Sequence, residues 1–314
     1  DALEGDSLTF FEFNTLAALL VFESWDPDAI VLEVGLGGRL DAVNIVDADV
    51  AIVVSVALDH MEWLGPDLES IGREKAGIFR RARPAVCGMA EPPKALSDVA
   101  EQVGALLLLR GRDFDAVGHA DGRWDFRDAH GELTRLPAPA LEGVAQTGNA
   151  ATALAALRQL DDRLPLDRAA IESGLAKVRL PGRFQRVSGA GGIEWVLDVA
   201  HNPAAAATLS ANLARHVVSG RTVAVCGMLD DKDVGGVLVA LRDRIDRWFA
   251  ATTAGPRGLA DTALAARARA AGIEMVAAGS VADAMRRAAS EARAGDRIVV
   301  FGSFHTVGPA LACV

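Results

Sequence analysis

Ile30-Val31-Leu32-Glu33-Val34-Gly35-Leu36-Gly37-Gly38-Arg39-Leu40-Asp41-Ala42-Val43-Asn44 is the stretch on which the fold reading turns. An apolar run, broken by one carboxylate, ends in three closely spaced glycines. The pattern predicts a β-strand over Ala29–Val34 that delivers Glu33 to its carboxyl end, where α/β sheets place their ligands. A carboxylate inside an apolar strand is costly unless a cation or metal faces it. The plainer alternative is a Glu at a strand tip followed by an ordinary loop. A dinucleotide fingerprint fails, because Gly35, Gly37 and Gly38 do not fit G-x-G-x-x-G and Leu40 holds the last glycine's place.

Outward from this stretch, short β-rich runs alternate with alanine-rich helical ones, the pattern of a parallel sheet covered by helices. Strands are expected at Val50–Val56, Pro84–Cys87 and Ala105–Leu109, and helices at Phe13–Phe22, Ile71–Ile78, Gln146–Leu160 and Ala169–Val178. Asp121-Gly122 and His130-Gly131 are turn signals that divide Phe114–Leu136 into a small β-meander. A second α/β series starts near Ile193, with strands Trp195–Val199, Thr222–Cys226, Arg247–Ala251 and Ile298–Phe301. Its helices are expected near Ala204–Arg215, Val237–Ile245, Thr262–Ala271 and Val281–Ala294. The boundary is placed close to Gln185, giving domains 1–185 and 186–314.

Composition narrows the function classes. With 314 residues, 51% of them hydrophobic, the chain is long enough for two buried cores. The net charge of −10 argues against a nucleic-acid partner. No apolar run approaches the roughly 20 residues that span a bilayer, and no signal peptide opens the sequence, so no membrane partner is expected. Cys87, Cys226 and Cys313 are far apart and odd in number, which favours a reducing cytoplasm over a disulfide framework. The first residue, Asp1, implies a start inside a longer gene product.

Two further runs carry polar groups at the ends of predicted elements. Ser55-Val56-Ala57-Leu58-Asp59-His60-Met61-Glu62-Trp63-Leu64-Gly65 brings an imidazole and carboxylates to a second strand end, a reasonable ligand set for a divalent cation; the alternative is a structural or solvated His60. Ser70-Ile71-Gly72-Arg73-Glu74-Lys75-Ala76-Gly77-Ile78 reads as a helix, and Lys75 is one of only four lysines. On its own, Lys75 reads as a solvated helix-face residue.

Taken in order, these runs resemble the folylpolyglutamate synthase/dihydrofolate synthase family, which belongs with the Mur ligases. The resemblance continues through Gly148-Asn149-Ala150-Ala151-Thr152-Ala153-Leu154, Leu180-Pro181-Gly182-Arg183-Phe184-Gln185 and Leu197-Asp198-Val199-Ala200-His201-Asn202-Pro203. It ends with Gly227-Met228-Leu229-Asp230-Asp231-Lys232-Asp233 and Gly302-Ser303-Phe304. The bacterial bifunctional enzymes are the nearest in kind. The fold implied is a Mur-ligase-like central ATPase domain, a mostly parallel sheet with helices on both faces and a small β-meander, followed by a Rossmann-like α/β domain that ligates glutamate.

The resemblance also implies roles. Glu33 and His60 would hold Mg²⁺, and Lys75 would take up CO₂ as a carbamate. Catalysis would fall to Lys75, Arg183 and His60, and ATP would be contacted by Asn149, Arg183 and Asp198. Without the resemblance, Asn149 reads as a helix N-cap, Asp198 as a strand-end turn residue and Arg183 as an exposed linker cation. Thr9, Phe10, Phe11 and Glu12 would bind the pterin together with Leu40, Asp41 and Ala42. His201, Asn202 and Ser303 fall where the family binds glutamate and nucleotide. The expected reaction is ATP-dependent addition of L-glutamate to dihydropteroate or to the γ-carboxylate of a folate, by a monomer.

Two departures matter. No glycine precedes any lysine, so the chain lacks G-x-x-x-x-G-K-[ST], and that loop is expected upstream of Leu8–Phe11. Val43 stands where relatives often carry a small hydroxyl residue. Rival readings are a Mur-type ligase acting on a cell-wall precursor, a non-catalytic binding fragment and, more distantly, a nicotinamide dehydrogenase.

Overall fold

A computed structural model describes residues 7–314. Backbone contacts divide the chain into two units, the first running to His119 with Trp124–Leu136 and Gly148–Asp167, the second made of Ala120–Arg123, Pro137–Thr147 and Arg168–Val314.

In the first unit, α1 (Phe10–Trp25) starts at a capping box: Thr9 Oγ1 accepts from Glu12 N–H, and the Glu12 carboxylate accepts from Thr9 N–H. Strands β1 (Ala51–Val53), β2 (Pro84–Cys87) and β3 (Leu106–Leu109) form a parallel sheet in that order. Between them lie α2 (Met61–Leu64), α3 (Leu68–Ala76) and α4 (Lys94–Val103), with α3 packed on α4. Ile71 and Leu96 from these helices join Val53, Ala85 and Cys87 from the sheet in one core. The meander consists of β4 (Phe114–Gly118), β5 (Trp124–Asp128) and β6 (Gly131–Leu136), antiparallel throughout. Trp124 and Phe126 face the same buried side of β5, the period of two that a half-buried strand requires. Helix α5 spans Gln146–Arg158.

One expected element is absent. Residues 29–34 form no strand: no ladder partner lies beside them among the described residues, and Val31 is 93% exposed. An apolar run becomes a strand only when a neighbour takes up its backbone N–H and C=O groups, so composition alone over-read this stretch. For the same reason β1 is shorter than the predicted Val50–Val56.

The second unit contains α6 (Arg168–Lys177) and is built on a six-stranded sheet. Its strands are β7 (Gln185–Ser188), β8 (Glu194–Asp198), β9 (Thr222–Cys226), β10 (Arg247–Thr252), β11 (Val276–Ser280) and β12 (Arg297–Phe301). Their spatial order is β11-β10-β9-β12-β8-β7, parallel except for the antiparallel edge strand β7. Helices α7 (Pro203–Arg215), α8 (Val234–Leu241), α9 (Asp261–Ala270), α10 (Val281–Glu291) and α11 (Phe304–Leu311) cover it. Leu209, Leu213, Leu238 and Leu264 fill one face, and Val281, Met285, Ala288 and Val307 the other. The continuous apolar runs of β9 and β12 are thereby buried on both sides, as central parallel strands demand.

Helix α8 begins three residues before the expected Val237, because Asp233 accepts from Gly236 N–H at 2.9 Å and caps it through two glycines. No helix among the described residues is long and apolar enough to cross a membrane. Phe249, fully buried in the middle of β10, gives a direct check on this packing. Phe249→Ala is expected to remove about 3–5 kcal/mol of unfolding free energy, read from urea denaturation. A loss below about 1 kcal/mol would contradict a close-packed core.

Candidate active site

The glycine-rich loop is organised by Asp41. One carboxylate oxygen accepts from Gly35 N–H and Leu36 N–H, both at 2.9 Å, and the other from Val43 N–H at 3.0 Å. The loop then rests on the last turn of α3. Arg39 N–H donates to the Glu74 carbonyl at 2.9 Å, and its guanidinium pairs with the Glu74 carboxylate at 3.0 Å. Asn44 Nδ2 donates to both Arg39 O and Gly77 O at 3.1 Å.

The glycines are there for closeness of approach. A Cβ on Gly38 would stand 2.9 Å from the carbonyl oxygens of Glu74 and Lys75, and one on Gly35 would stand 2.9 Å from the Phe11 ring. The run that fails as a dinucleotide fingerprint is therefore a packing surface.

This loop, the start of α1 and the α2 turn enclose a cavity of about 240 Å³. Six of the seven residues expected to bind a pterin line it: Thr9, Phe11, Glu12, Leu40, Asp41 and Ala42. Phe10 does not line it, and is 86% exposed. Four lining side chains escaped the sequence reading as pocket residues: Leu36, Trp63, Leu64 and Glu74. Trp63, Leu64 and Glu74 fall inside runs quoted for other reasons, and only tertiary folding brings them to the cavity. Trp63 is 76% exposed, too open for a core residue, and that signal appears only in the structure. The Glu12 carboxyl is held below its usual range by the Thr9 backbone N–H and hydroxyl.

The predicted metal and carbamate residues are partly gathered. Burial pushes the Lys75 ammonium below its ordinary value, and the nearby Asp59 carboxylate opposes that shift. Asp59 accepts from His60 N–H at 2.9 Å, and the His60 ring lies 3.9 Å from the same oxygen. His60 sits in left-handed backbone (φ 50°) and caps α2, its carbonyl accepting from Trp63 and Leu64 N–H. A non-glycine residue there is uncommon and is associated with functional sites. Glu33 is exposed, with no hydrogen bond or ion pair to His60 or Lys75. Among the described residues no three His, Cys, Asp or Glu side chains form a ready metal cage.

In the second unit the candidates cluster at the carboxyl ends of β8 and β12. Asp198 accepts from Phe184 N–H (2.9 Å) and Ala200 N–H (2.8 Å), yet burial raises its pKa, the two amides and the Arg183 charge only partly opposing this. His201 Nδ1 lies 2.9 Å from Val199 O, which assigns a proton to that nitrogen. Asn202 caps α7 through Ala205 N–H, ahead of Pro203. Ser303 is buried, 3.0 Å from Thr306 Oγ1, which in turn donates to Gly227 O at 2.7 Å. Asn149 is exposed inside α5, three residues past its start, so the N-cap alternative is set aside.

Together these features define the class. Residues 182–304 match the family described as Mur ligase, glutamate ligase domain. The dihydrofolate synthase/folylpolyglutamate synthase of Escherichia coli K12 is 48% identical over 312 residues, 98% of this chain and 70% of that protein. The solved structure of E. coli FolC in complex with DHPP and ADP matches with a TM-score of 0.92 and 48% identity, covering 99% of this chain and 72% of that one. A bifunctional folylpolyglutamate synthase/dihydrofolate synthase with Mn, AMPPNP and L-glutamate bound matches at 0.90 and 45%, covering 99% and 73%. The chain belongs to the dihydrofolate synthase/folylpolyglutamate synthase family, whose members are ligases that form carbon–nitrogen bonds.

Gly38→Ala tests the loop docking. The added methyl meets two backbone oxygens that cannot swing aside, so a loss of about 1–3 kcal/mol is expected, seen as a lower melting temperature. An unchanged melting temperature would contradict the close approach.

Proposed function

We propose that the protein is an ATP-dependent ligase that adds L-glutamate to dihydropteroate and to the γ-carboxylate of folates, acting as a cytoplasmic monomer. The observation that carries this reading is the first unit's cavity. It is walled by Phe11, Trp63, Leu36 and Leu40, and it borders the helix turn that holds Lys75. A flat bicyclic pterin suits aromatic and aliphatic walls of this kind. The relatives' names and their bound DHPP, ADP, AMPPNP and L-glutamate support the same reading.

In this scheme a carboxylate oxygen of the pterin substrate attacks the γ-phosphorus of ATP, and ADP leaves. The amine of L-glutamate then attacks the acyl phosphate, giving an amide and phosphate. Arg183 would offer a forked donor to phosphate oxygens, with Asn149 and Asp198 bonding to base and ribose. His201, Asn202 and Ser303 would serve glutamate or nucleotide; the Asn202 side-chain carbonyl accepts from Ala205 N–H and so fixes the residue at the start of α7.

Burial of Lys75 favours the neutral amine that attacks CO₂, and the resulting carbamate anion replaces a cation that would repel a metal. Glu33 and His60 would hold Mg²⁺. Mg²⁺ characteristically takes one or two protein donors plus waters and phosphate oxygens, so an all-protein cage is not required. When bound, Mg²⁺ supplies Lewis-acid stabilisation of charge on the transferring phosphoryl group.

ADP release should require both L-glutamate and dihydropteroate, and a UDP-sugar precursor should not compete. Release that ignores dihydropteroate, or competition by the UDP-sugar, would overturn the assignment in favour of a cell-wall ligase. Lys75→Arg keeps the charge but cannot form a carbamate. It is expected to lower kcat on the order of 10²-fold, with loss of the carbamate signal in ¹³C NMR under labelled bicarbonate.

A further inference from the structure

The turn that carries Arg183 is held more firmly than a linker cation requires. Gly182 has a φ of 73°, and a Cβ there would stand 3.0 Å from Val199 and 3.1 Å from Val307 of α11. Its N–H donates to Gln185 Oε1 at 3.0 Å, and its carbonyl accepts from Val199 N–H at 2.9 Å. On the other side, Phe184 is left-handed (φ 44°), a conformation that is unfavourable for a bulky residue. Burial of the Phe184 ring in the core and the bond from its N–H to Asp198 hold it there. Both neighbours of Arg183 are pinned, and only its side chain is left to choose a direction.

An aromatic ring sets that direction. Arg183 Cζ lies 5.2 Å from the centroid of Phe304, the first residue of α11. Arg183 Nη1 is buried yet has no hydrogen-bond partner among the described residues. Phe304 itself is 61% exposed, so core packing does not account for an aromatic residue at this position.

The choice of partner has a chemical consequence. A carboxylate would orient the guanidinium, but it would neutralise the charge and occupy the donor fork. A ring face attracts the cation through its quadrupole and leaves the N–H edge open. Asp198, the nearby carboxylate, already accepts one backbone N–H on each oxygen. We propose that Phe304 is a positioning residue that holds Arg183 with its charge and donors available to the phosphate oxygens of the nucleotide. This inference rests on reading Arg183 as a nucleotide contact.

The test compares F304L, F304Y, R183A and R183A/F304L in the enzyme as its gene encodes it. ADP affinity is measured by calorimetry, KM for ATP and kcat by ADP release, and the unfolding midpoint in urea. F304L is expected to weaken ADP binding and raise KM for ATP by about tenfold, with its urea midpoint unchanged. F304Y, which keeps the ring face, restores the affinity, and F304L adds nothing once Arg183 is alanine. If R183A weakens ADP binding while F304L is silent, or if the two effects multiply in the double variant, the inference is overturned and the role of Arg183 stands. If R183A leaves ADP affinity unchanged, the nucleotide reading of Arg183 fails and the inference falls with it.

Discussion

The contact on which the first unit depends is the seating of Gly38 and Arg39 on the last turn of α3. Helix ends leave carbonyl groups without intrahelical partners. Here the Glu74 carbonyl accepts from Arg39 N–H, and the missing Cβ of Gly38 lets the chain come against the carbonyls of Glu74 and Lys75. The same turn carries Lys75, and the same loop lines the cavity with Leu36, Leu40 and Asp41. A shift of the helix end therefore moves the cavity wall. Asp41 reinforces this by spending its carboxylate on three backbone amides, so its first task is to shape the loop.

The second unit solves a different problem with ordinary α/β means. Its central strands β8, β9, β10 and β12 are largely apolar and buried, so polar groups gather at their ends. Asp198 ends β8, and Gly227 and Ser303 follow β9 and β12, three neighbouring strands of one sheet. There Asp198 is desolvated but bonded to two backbone amides, and Thr306 bridges Ser303 to Gly227. These bonds fix the geometry before any ligand arrives, which is what a site built on strand ends offers over one built on a free loop.

Much of this was legible in the residues, for identifiable reasons. Thr222–Cys226 and Pro84–Cys87 are found as strands at their predicted limits because buried parallel strands read as unbroken apolar runs bounded by polar turns. The meander followed from two turn signals at the proper spacing. Residues 29–34 read the same way yet form no strand, since a run of Ile, Val and Leu does not reveal whether a neighbour exists to pair with it. Val276–Ser280 was missed for the opposite reason: Ala277, Ala278 and Gly279 carry no β-branched signal, and pairing with β10 makes the strand. Of the site, the segments Thr9–Glu12 and Leu40–Ala42 that line the cavity were visible as motifs, whereas Trp63 and Glu74 at the cavity and Phe304 beside Arg183 emerge only when distant segments meet.

On the proposed function, one loop–helix contact places a pterin-binding cavity beside Lys75, which would be carbamylated. A crystal structure of the enzyme grown with dihydropteroate, ADP and bicarbonate tests it most directly. The account predicts the bicyclic ring in the cavity between Phe11 and Trp63, with density for three extra atoms on Lys75 Nζ. A ring bound away from the Gly35–Ala42 loop, beside an unmodified Lys75, would contradict it.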